Sequence, residues 1–150
     1  MSQPFGRRVV WLVVALAPCL AGCSSEPFSY VPVKGKVTYS DGTLIPGDQI
    51  TLRFVPEQMQ TKGKDVAPAP TGDVNVKDGT FAGVTTHQYL DGAMVGKYRV
   101  TINVMKNTPQ GQQPNGAVPA RYQSPETTPL TADVTGKNDE LTFLVDKPKS

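Results

Sequence analysis

Apolar and polar residues alternate one by one in short runs after residue 30, and this period of two constrains the fold more than any other feature of the chain. In the cleanest run, every second residue from Tyr98 to Val104 is apolar. Successive side chains of a β-strand point to opposite faces, so such alternation is typical of half-buried strands. Apolar residues at helical spacing are absent. Seven strands are predicted, at 31–39, 50–54, 74–76, 81–85, 98–104, 130–134 and 141–145.

Turn-forming pairs separate the predicted strands, and Gly35 leaves room for a bulge or a close approach within the first of them. The pairs are Asp41-Gly42, Pro46-Gly47, Asp78-Gly79 and Asp91-Gly92. With no helix to cover a sheet face, two sheets must cover each other. The predicted fold is all-β: a seven-stranded antiparallel β-sandwich with a transthyretin-like or immunoglobulin-like Greek key. The polar segments 57–70 and 106–117 are predicted to be loops without regular structure.

The first 22 residues have the composition of a secretory signal. Arg7 and Arg8 precede an apolar run over 9–20, which is shorter than the about 20 residues of a transmembrane helix. The run ends in Leu20-Ala21-Gly22-Cys23, which resembles the lipobox of bacterial lipoproteins. That resemblance implies cleavage between Gly22 and Cys23 and diacylation of the Cys23 thiol. Two other interpretations stay open: an ordinary signal peptide with an incidental cysteine, and a twin-arginine export signal.

The predicted organisation follows from this cleavage site. Residues 1–22 are the lipoprotein signal peptide, 23–30 a lipidated tether, 31–146 the β-sandwich domain and 147–150 a tail. Two or three acyl chains hold a protein durably on a membrane, whereas one chain holds it reversibly. The lipid anchor therefore predicts a membrane-attached protein of the bacterial cell envelope, on the inner or outer membrane, facing the periplasm or the exterior.

Charge and cysteine content exclude several roles for the mature chain. Removing residues 1–22 takes two of the 15 basic residues and leaves 13 against 13 acidic residues. A neutral domain lacks the basic patch that phosphate backbones require, so no nucleic-acid partner is predicted. With Cys19 removed and Cys23 acylated, no thiol remains for a disulfide. Packing alone must stabilise the domain.

The residues needed for hydrolysis or for a transition-metal site are scarce. His87 is the sole histidine, and transition metals usually take cysteine and histidine ligands. A catalytic arrangement would have to join His87 to Ser40 or Ser124, yet the chain has no Gly-x-Ser-x-Gly elbow. His87 is therefore predicted to be a solvated loop residue. No catalytic residue, metal or cofactor is predicted.

Calcium is the metal for which the sequence offers the best candidate ligands. Asp73, Asn75 and Asp78 have suggestive spacing, because calcium takes carboxylate and amide oxygens from loops. Lys77 stands where a calcium loop would want another oxygen. The Asp78-Gly79 pair is also explained by turn geometry without metal. Both interpretations stay open, and the turn is preferred.

Short motifs of turn and core residues are spread over about 33–104. They are Gly35-Lys36-Val37-Thr38-Tyr39-Ser40-Asp41-Gly42, Pro46-Gly47 with Ile50, Asp78-Gly79-Thr80-Phe81, and Gly96-Lys97-Tyr98-Arg99-Val100. Together they resemble the carboxypeptidase regulatory-like domain, which implies a transthyretin-like sandwich that is an accessory, non-catalytic module. Leu44 and Met94-Val95 depart from the pattern, in turns where prolines are frequent. The lipobox and Val118-Pro119-Ala120-Arg121-Tyr122 further resemble small lipoproteins of planctomycete-type bacteria.

These observations predict a membrane-anchored envelope lipoprotein that is a structural or protein-binding module, contacting an envelope protein or polysaccharide through loops 57–70 and 105–129. Arg121 and Tyr122 form a candidate recognition pair; alternatively, their loop folds back onto the sandwich edge. A carbohydrate-binding module is the second hypothesis and would need exposed aromatic rings. Trp11 leaves with the signal, and Tyr30, Tyr89 and Tyr122 are the tyrosines outside predicted core positions. A small hydrolase is the third hypothesis.

Overall fold

The computed structural model describes residues 28–137 and 139–149. Ten strands and one short 3-10 helix, Ala120–Gln123, make up the regular structure of this part of the chain. The strands are β1 (Val33–Tyr39), β2 (Gln49–Pro56), β3 (Thr61–Lys62), β4 (Asp65–Val66), β5 (Thr71–Val74), β6 (Thr80–Phe81), β7 (Gly96–Thr108), β8 (Gly111–Pro114), β9 (Thr131–Val134) and β10 (Asp139–Val145). No helix among these residues is both long enough and apolar enough to span a membrane.

The strands form two principal sheets and one small ribbon. One sheet has the order β10-β1-β6, and the other has the order β5-β2-β7-β8, with β9 paired to the beginning of β7. Among the described strands, β3 and β4 pair with each other alone. Phe54 of β2 contacts Phe81 of β6 and Phe143 of β10, with ring centroids 6.4 and 6.1 Å apart. The two sheets therefore share one core, which confirms the predicted all-β class.

Two features differ from the prediction. The described residues form ten strands rather than seven, because β3, β4 and β8 lie in segments predicted to be loops. The pairing is not wholly antiparallel, since β1 and β10 run parallel, from Val33 beside Asp139 to Tyr39 beside Val145. Alternating polarity tells which face of a strand is buried, but it does not tell which strand pairs with it or in which direction.

The two segments predicted to lack regular structure are both hairpins in part. Residues 61–66 form the β3–β4 ribbon, and β7 continues to Thr108 before pairing with β8. The prediction was wrong there because a polar composition excludes a buried strand but not a hairpin with both faces in water. All four residues of β8 are exposed.

Close packing explains Gly35 within β1. A Cβ atom at this position would lie 2.0 Å from the carbonyl oxygen of Leu141 and 2.8 Å from the ring of Phe81. The predicted close approach is therefore confirmed, and it occurs where β1 lies between β10 and β6.

The sandwich has two distinct ends. At the N-terminal end, β1 and β10 begin side by side, as the pair Val33–Asp139 shows. Strand β7 also begins there, beside the last residue of β9 (Gly96–Val134) and the last residue of β2 (Pro56–Tyr98). Val31, just before β1, pairs with Ala93, just before β7. At the opposite end, which we call the hairpin end, β2 begins beside Met105 and the β7–β8 hairpin extends past it.

Candidate functional site

The predicted lipidation site lies outside the described residues. Cys23 and the cleavage position after Gly22 precede Phe28, the first residue that the structure describes. The backbone of Val31 exchanges hydrogen bonds of 2.8 and 3.0 Å with Ala93, which fixes the start of the domain at the N-terminal end of the sandwich. Any anchor at Cys23 is thus connected to this end.

The 3-10 helix that carries the candidate pair places Arg121 and Tyr122 in different environments. Tyr122 is only 2% exposed, and its hydroxyl donates a hydrogen bond of 2.9 Å to the Asp146 carboxylate. Arg121 is exposed and forms an ion pair with the same carboxylate. The loop therefore folds back onto the sandwich, as the structural alternative predicted, and Tyr122 offers no free face to a ligand.

Asp146 is the centre of this polar cluster, which no sequence pattern indicated. Its backbone N–H donates to the Tyr122 hydroxyl oxygen at 3.1 Å, and the Ser40 hydroxyl donates to its carboxylate at 3.2 Å. The hydrogen bond from Tyr122, followed by Ser40 and the charge of Arg121, lowers the pKa of Asp146. The partners lie 24 to 106 residues away in sequence, so no local pattern could have revealed the cluster.

A second ion pair fixes the first residue of the predicted tail. The Lys147 ammonium group donates to the Asp41 carboxylate and lies 5.3 Å from the centroid of the Tyr39 ring. The hydrogen bond from Lys147, with those from Thr43, lowers the pKa of Asp41. An open groove of about 560 Å³ adjoins these residues, and its lining is Pro119, Arg121, Asp146, Lys147 and Lys149.

The calcium candidates do not converge on one point. The Asp73 carboxylate accepts from Thr51 across the sheet at 3.1 Å. Asn75 instead donates its amide to Asp78 at 3.1 Å, and Asp78 accepts from the backbone of Thr80 at 2.8 Å. The contacts of Asn75 and Asp78 are those of a tight turn. Across the described residues, no three His, Cys, Asp or Glu side chains come close enough to hold a metal ion.

His87 lies in a compact loop that Asp91 organises. The Asp91 carboxylate accepts hydrogen bonds from the backbone N–H groups of Thr86 at 2.7 Å, His87 at 2.9 Å and Gln88 at 2.8 Å. Burial by itself raises the pKa of Asp91, but these donors outweigh it and the net pKa is lowered. Asp91 thus acts here as a loop organiser.

The structure does not bring the candidate catalytic groups together. His87 precedes β7 at the N-terminal end, whereas Ser40 follows β1 at the hairpin end and donates to Val145 and Asp146. The Ser124 hydroxyl donates to Glu126, two residues along the chain.

The candidate aromatic residues of a carbohydrate platform also differ in how far they are exposed. Tyr89 is 86% exposed, Tyr30 is half-buried and Tyr122 is buried. A sugar ring stacks on an exposed aromatic face, so of these three rings Tyr89 alone presents one fully.

Comparison of this chain with protein-family models, with curated proteins and with solved structures finds no match in any of the three.

Proposed function

We propose that this chain is a lipid-anchored, non-catalytic protein of the bacterial envelope whose β-sandwich, of the carboxypeptidase regulatory-like type with a Greek key, is a protein-binding module. Its anchor is Cys23, and the membrane is its first partner. Its second partner is an envelope protein that contacts the hairpin end, farthest from the anchor.

The observation that carries this proposal is the sequence Leu20-Ala21-Gly22-Cys23 after the charged and apolar segments of a signal. The first strand begins at Val33, ten residues after Cys23. Ten residues are enough to separate a folded domain from a bilayer and few enough to keep it close, because an extended chain spans at most about 3.6 Å per residue.

The engagement of the polar side chains supports a binding rather than a catalytic role. Asp91 holds a loop, Asp78 holds a turn, and Ser40 bonds to Val145 and Asp146. General acid–base catalysis instead needs a group with a pKa near neutral pH within reach of a substrate proton. The net pKa of both Asp91 and Asp78 is lowered, which takes these carboxyls further from neutral pH.

The β7–β8 hairpin supports a protein partner. Strand β7 runs 13 residues, about 40 Å at the usual rise, and its last three residues extend beyond the start of β2 at Gln49. Among the described strands, β8 pairs with β7 alone and leaves its outer main-chain edge open. Such an edge accepts an extended peptide through main-chain hydrogen bonds. The hairpin tip is rich in amides, with Asn107, Gln110, Gln112 and Gln113.

Replacing Cys23 tests the anchor. In cells of a lipoprotein-processing bacterium, Cys23→Ser is expected to yield an uncleaved precursor without acyl chains, while wild type yields an acylated N-terminal peptide beginning at residue 23. Cys19→Ser is the matched control, because Cys19 lies in the signal and its loss leaves processing intact. Intact-mass measurement of the protein and its N-terminal peptide decides the outcome. A wild-type protein without acyl mass would contradict the proposal.

A further inference from the structure

Large apolar side chains are exposed mainly at one end of the sandwich. Seven such side chains are exposed among the described residues, and five of them lie in the β2–β5 and β6–β7 connections, towards the N-terminal end. These five are Met59 (76% exposed), Val66 (56%), Tyr89 (86%), Leu90 (44%) and Val95 (58%). The other two, Leu44 and Leu144, lie on the remainder of the surface. We call the five the apolar rim.

Strand connections place the rim at the N-terminal end. Met59 follows the last residue of β2, and Val95 immediately precedes β7. Val66 closes the β3–β4 ribbon, which Ala67 ties back to Gln60 by a backbone hydrogen bond of 2.9 Å. Tyr89 and Leu90 belong to the loop between Thr85, which bridges to the start of β5, and Ala93.

Gln60 joins two parts of the rim. Its side-chain amide donates to the carbonyl oxygen of Val95 at 3.3 Å, and its side-chain oxygen accepts from the Tyr98 hydroxyl at 3.1 Å. Met59 and Val95 consequently lie on the same groove, of about 480 Å³. This part of the rim is therefore held in place, whereas Tyr89 and Leu90 line a second groove beside Thr71 and Gly83.

The loop that carries Tyr89 and Leu90 is held in a strained shape. Leu90 has a φ of +57°, which side-chain-bearing residues adopt rarely, while the Asp91 carboxylate and the Thr85 hydroxyl accept hydrogen bonds from the surrounding backbone. Backbone strain that the surrounding contacts maintain is often found where a segment contacts a ligand. In this loop the strained backbone holds the side chains of Tyr89 and Leu90 exposed to solvent.

The chain also connects to its predicted anchor at this end. Val31 is fixed beside Ala93, and Gly136 lies next to Val31 and Val95. Phe28 is five positions after Cys23, and an extended chain of that length spans at most about 18 Å. An acylated Cys23 therefore keeps the apolar rim within reach of the bilayer, which raises the effective concentration of lipid around it.

We infer that the apolar rim is a second membrane contact, which lies in the lipid interface and orients the sandwich with its hairpin end away from the membrane. This inference rests on the proposed anchoring at Cys23. Tyrosine suits the interface because its ring is apolar and its hydroxyl remains hydrated. Lys62 of β3 and Lys64 and Lys137 on turns of the same end can attract anionic headgroups, although Asp65 faces Lys62 and Glu57 lines the Met59 groove.

Site-directed labelling tests the orientation. The experiment uses the full chain in a Cys19→Ser background, reconstituted in vesicles of phosphatidylethanolamine and phosphatidylglycerol. A nitroxide is attached at Met59→Cys, Val66→Cys or Tyr89→Cys. Leu144→Cys is the matched control for Val66, with 53% against 56% exposure, and Gln110→Cys marks the hairpin end. All five positions are exposed, so these changes spare the core.

Oxygen concentrates in lipid, whereas a nickel chelate stays in water. We therefore expect oxygen to relax the three rim labels at least about threefold more effectively than the chelate does. Leu144 and Gln110 labels should show the reverse. Equal accessibility to the chelate at all five positions would overturn the inference. Protection of the rim labels from both reagents would also overturn it, because a protein rather than lipid would then cover the rim.

A parallel measurement separates this result from the proposed anchoring. The same labels are placed in a Cys23→Ser precursor, which the apolar run of its uncleaved signal attaches to the vesicles. Acyl mass on the wild-type N-terminal peptide reports the anchor, whereas the contrast between rim and control labels reports the orientation. Missing acyl mass with the label contrast intact would contradict the anchor alone. Acyl mass without the contrast would contradict the rim contact alone.

Discussion

Tyr122 and Asp146 exchange two hydrogen bonds: the phenol donates to the carboxylate at 2.9 Å, and the Asp146 backbone N–H donates to the phenol oxygen at 3.1 Å. The pair connects the 3-10 helix to the chain just after β10. Because Tyr122 is buried while Asp146 is exposed, the ring packs in the core and its hydroxyl holds a surface carboxylate. This contact closes the hairpin end of the sandwich.

The first prediction concerns the pKa of Asp146. Its folded pKa lies below the ordinary 3.8, mainly because of the hydrogen bond from Tyr122. A lowered folded pKa stabilises the protein above the unfolded value, and that stabilisation is lost as the pH falls through the folded pKa. Tyr122→Phe removes the donor, so the pKa of Asp146 should rise towards 3.8. The free energy of unfolding should then decrease less as the pH is lowered than it does in wild type.

NMR titration of the Asp146 carboxyl measures this change. Ser40→Ala is the matched control, since it removes a weaker donor to the same carboxylate and should raise the pKa less. An Asp146 pKa that is the same in wild type and in Tyr122→Phe would show that the hydrogen bond does not hold the carboxylate in solution.

The second prediction concerns the parallel pair of β1 and β10. Gly35→Ala places a Cβ atom 2.0 Å from the Leu141 carbonyl oxygen, which belongs to the backbone and cannot rotate away. We expect a loss of about 3 kcal/mol in the free energy of unfolding, at the upper end of the usual cost of overpacking.

Urea denaturation of Gly35→Ala and Gly42→Ala compares crowding with backbone strain. Gly42 has a φ of +83°, and a Cβ added there would meet no atom within 4 Å, so its substitution should cost only about 1 to 2 kcal/mol. Equal losses in the two variants would mean that β1 and β10 do not approach as closely as described.

The third prediction concerns the aromatic centre of the core. Phe54 contacts Tyr98 at 6.1 Å between ring centroids as well as the two phenylalanines of the opposite sheet, and both Phe54 and Tyr98 are fully buried. Phe54→Ala should cost about 3 to 5 kcal/mol because it leaves a cavity between the sheets. Lys36→Ala, on the exposed face of β1, should change the free energy of unfolding by less than about 0.5 kcal/mol. Similar denaturation midpoints for these two variants would refute the core assignment.

The sequence predicts the strand faces well because burial has a local signature. In β7, the four alternating residues Tyr98, Val100, Ile102 and Val104 are all buried. The requirement for glycine at position 35 also follows from its place inside a strand pattern. Strand pairing is different, because the partner of β1 lies about a hundred residues away and no local pattern encodes the parallel direction of β10.

The candidate site is less predictable than the fold for the same reason. The position of Tyr122 after Pro119 suggested a loop folded onto the sandwich, but its partner Asp146 has no sequence signal. The apolar rim is likewise composed of residues from two connections, β2–β5 and β6–β7. Each is ordinary in sequence, and only the shared end of the strands brings them together.

The last prediction concerns the β7–β8 hairpin as the partner-binding surface. Replacing residues 107–112 with an Asn-Gly turn joins Lys106 to Gln113, which already face each other across the hairpin. The replacement removes three exposed contacts: Asn107 N–H to Asp48, Gln112 to Gln49, and Thr108 to Gly111. Because these contacts are exposed, the Tm should fall by no more than about 5 °C.

Capture of the envelope protein partner should instead be lost. Chemical crosslinking in native membranes, followed by mass spectrometry, compares wild type, the shortened hairpin and a Lys62→Ala/Lys64→Ala control at the other end of the sandwich. Wild type and control should give the same crosslinked protein, and the shortened hairpin should give less than about a tenth of it, because the hairpin tip and half of the β8 edge are gone. Crosslinks that persist at the wild-type level in the shortened variant would move the binding surface to another strand edge, with β10 the next candidate because it pairs with β1 alone among the described strands.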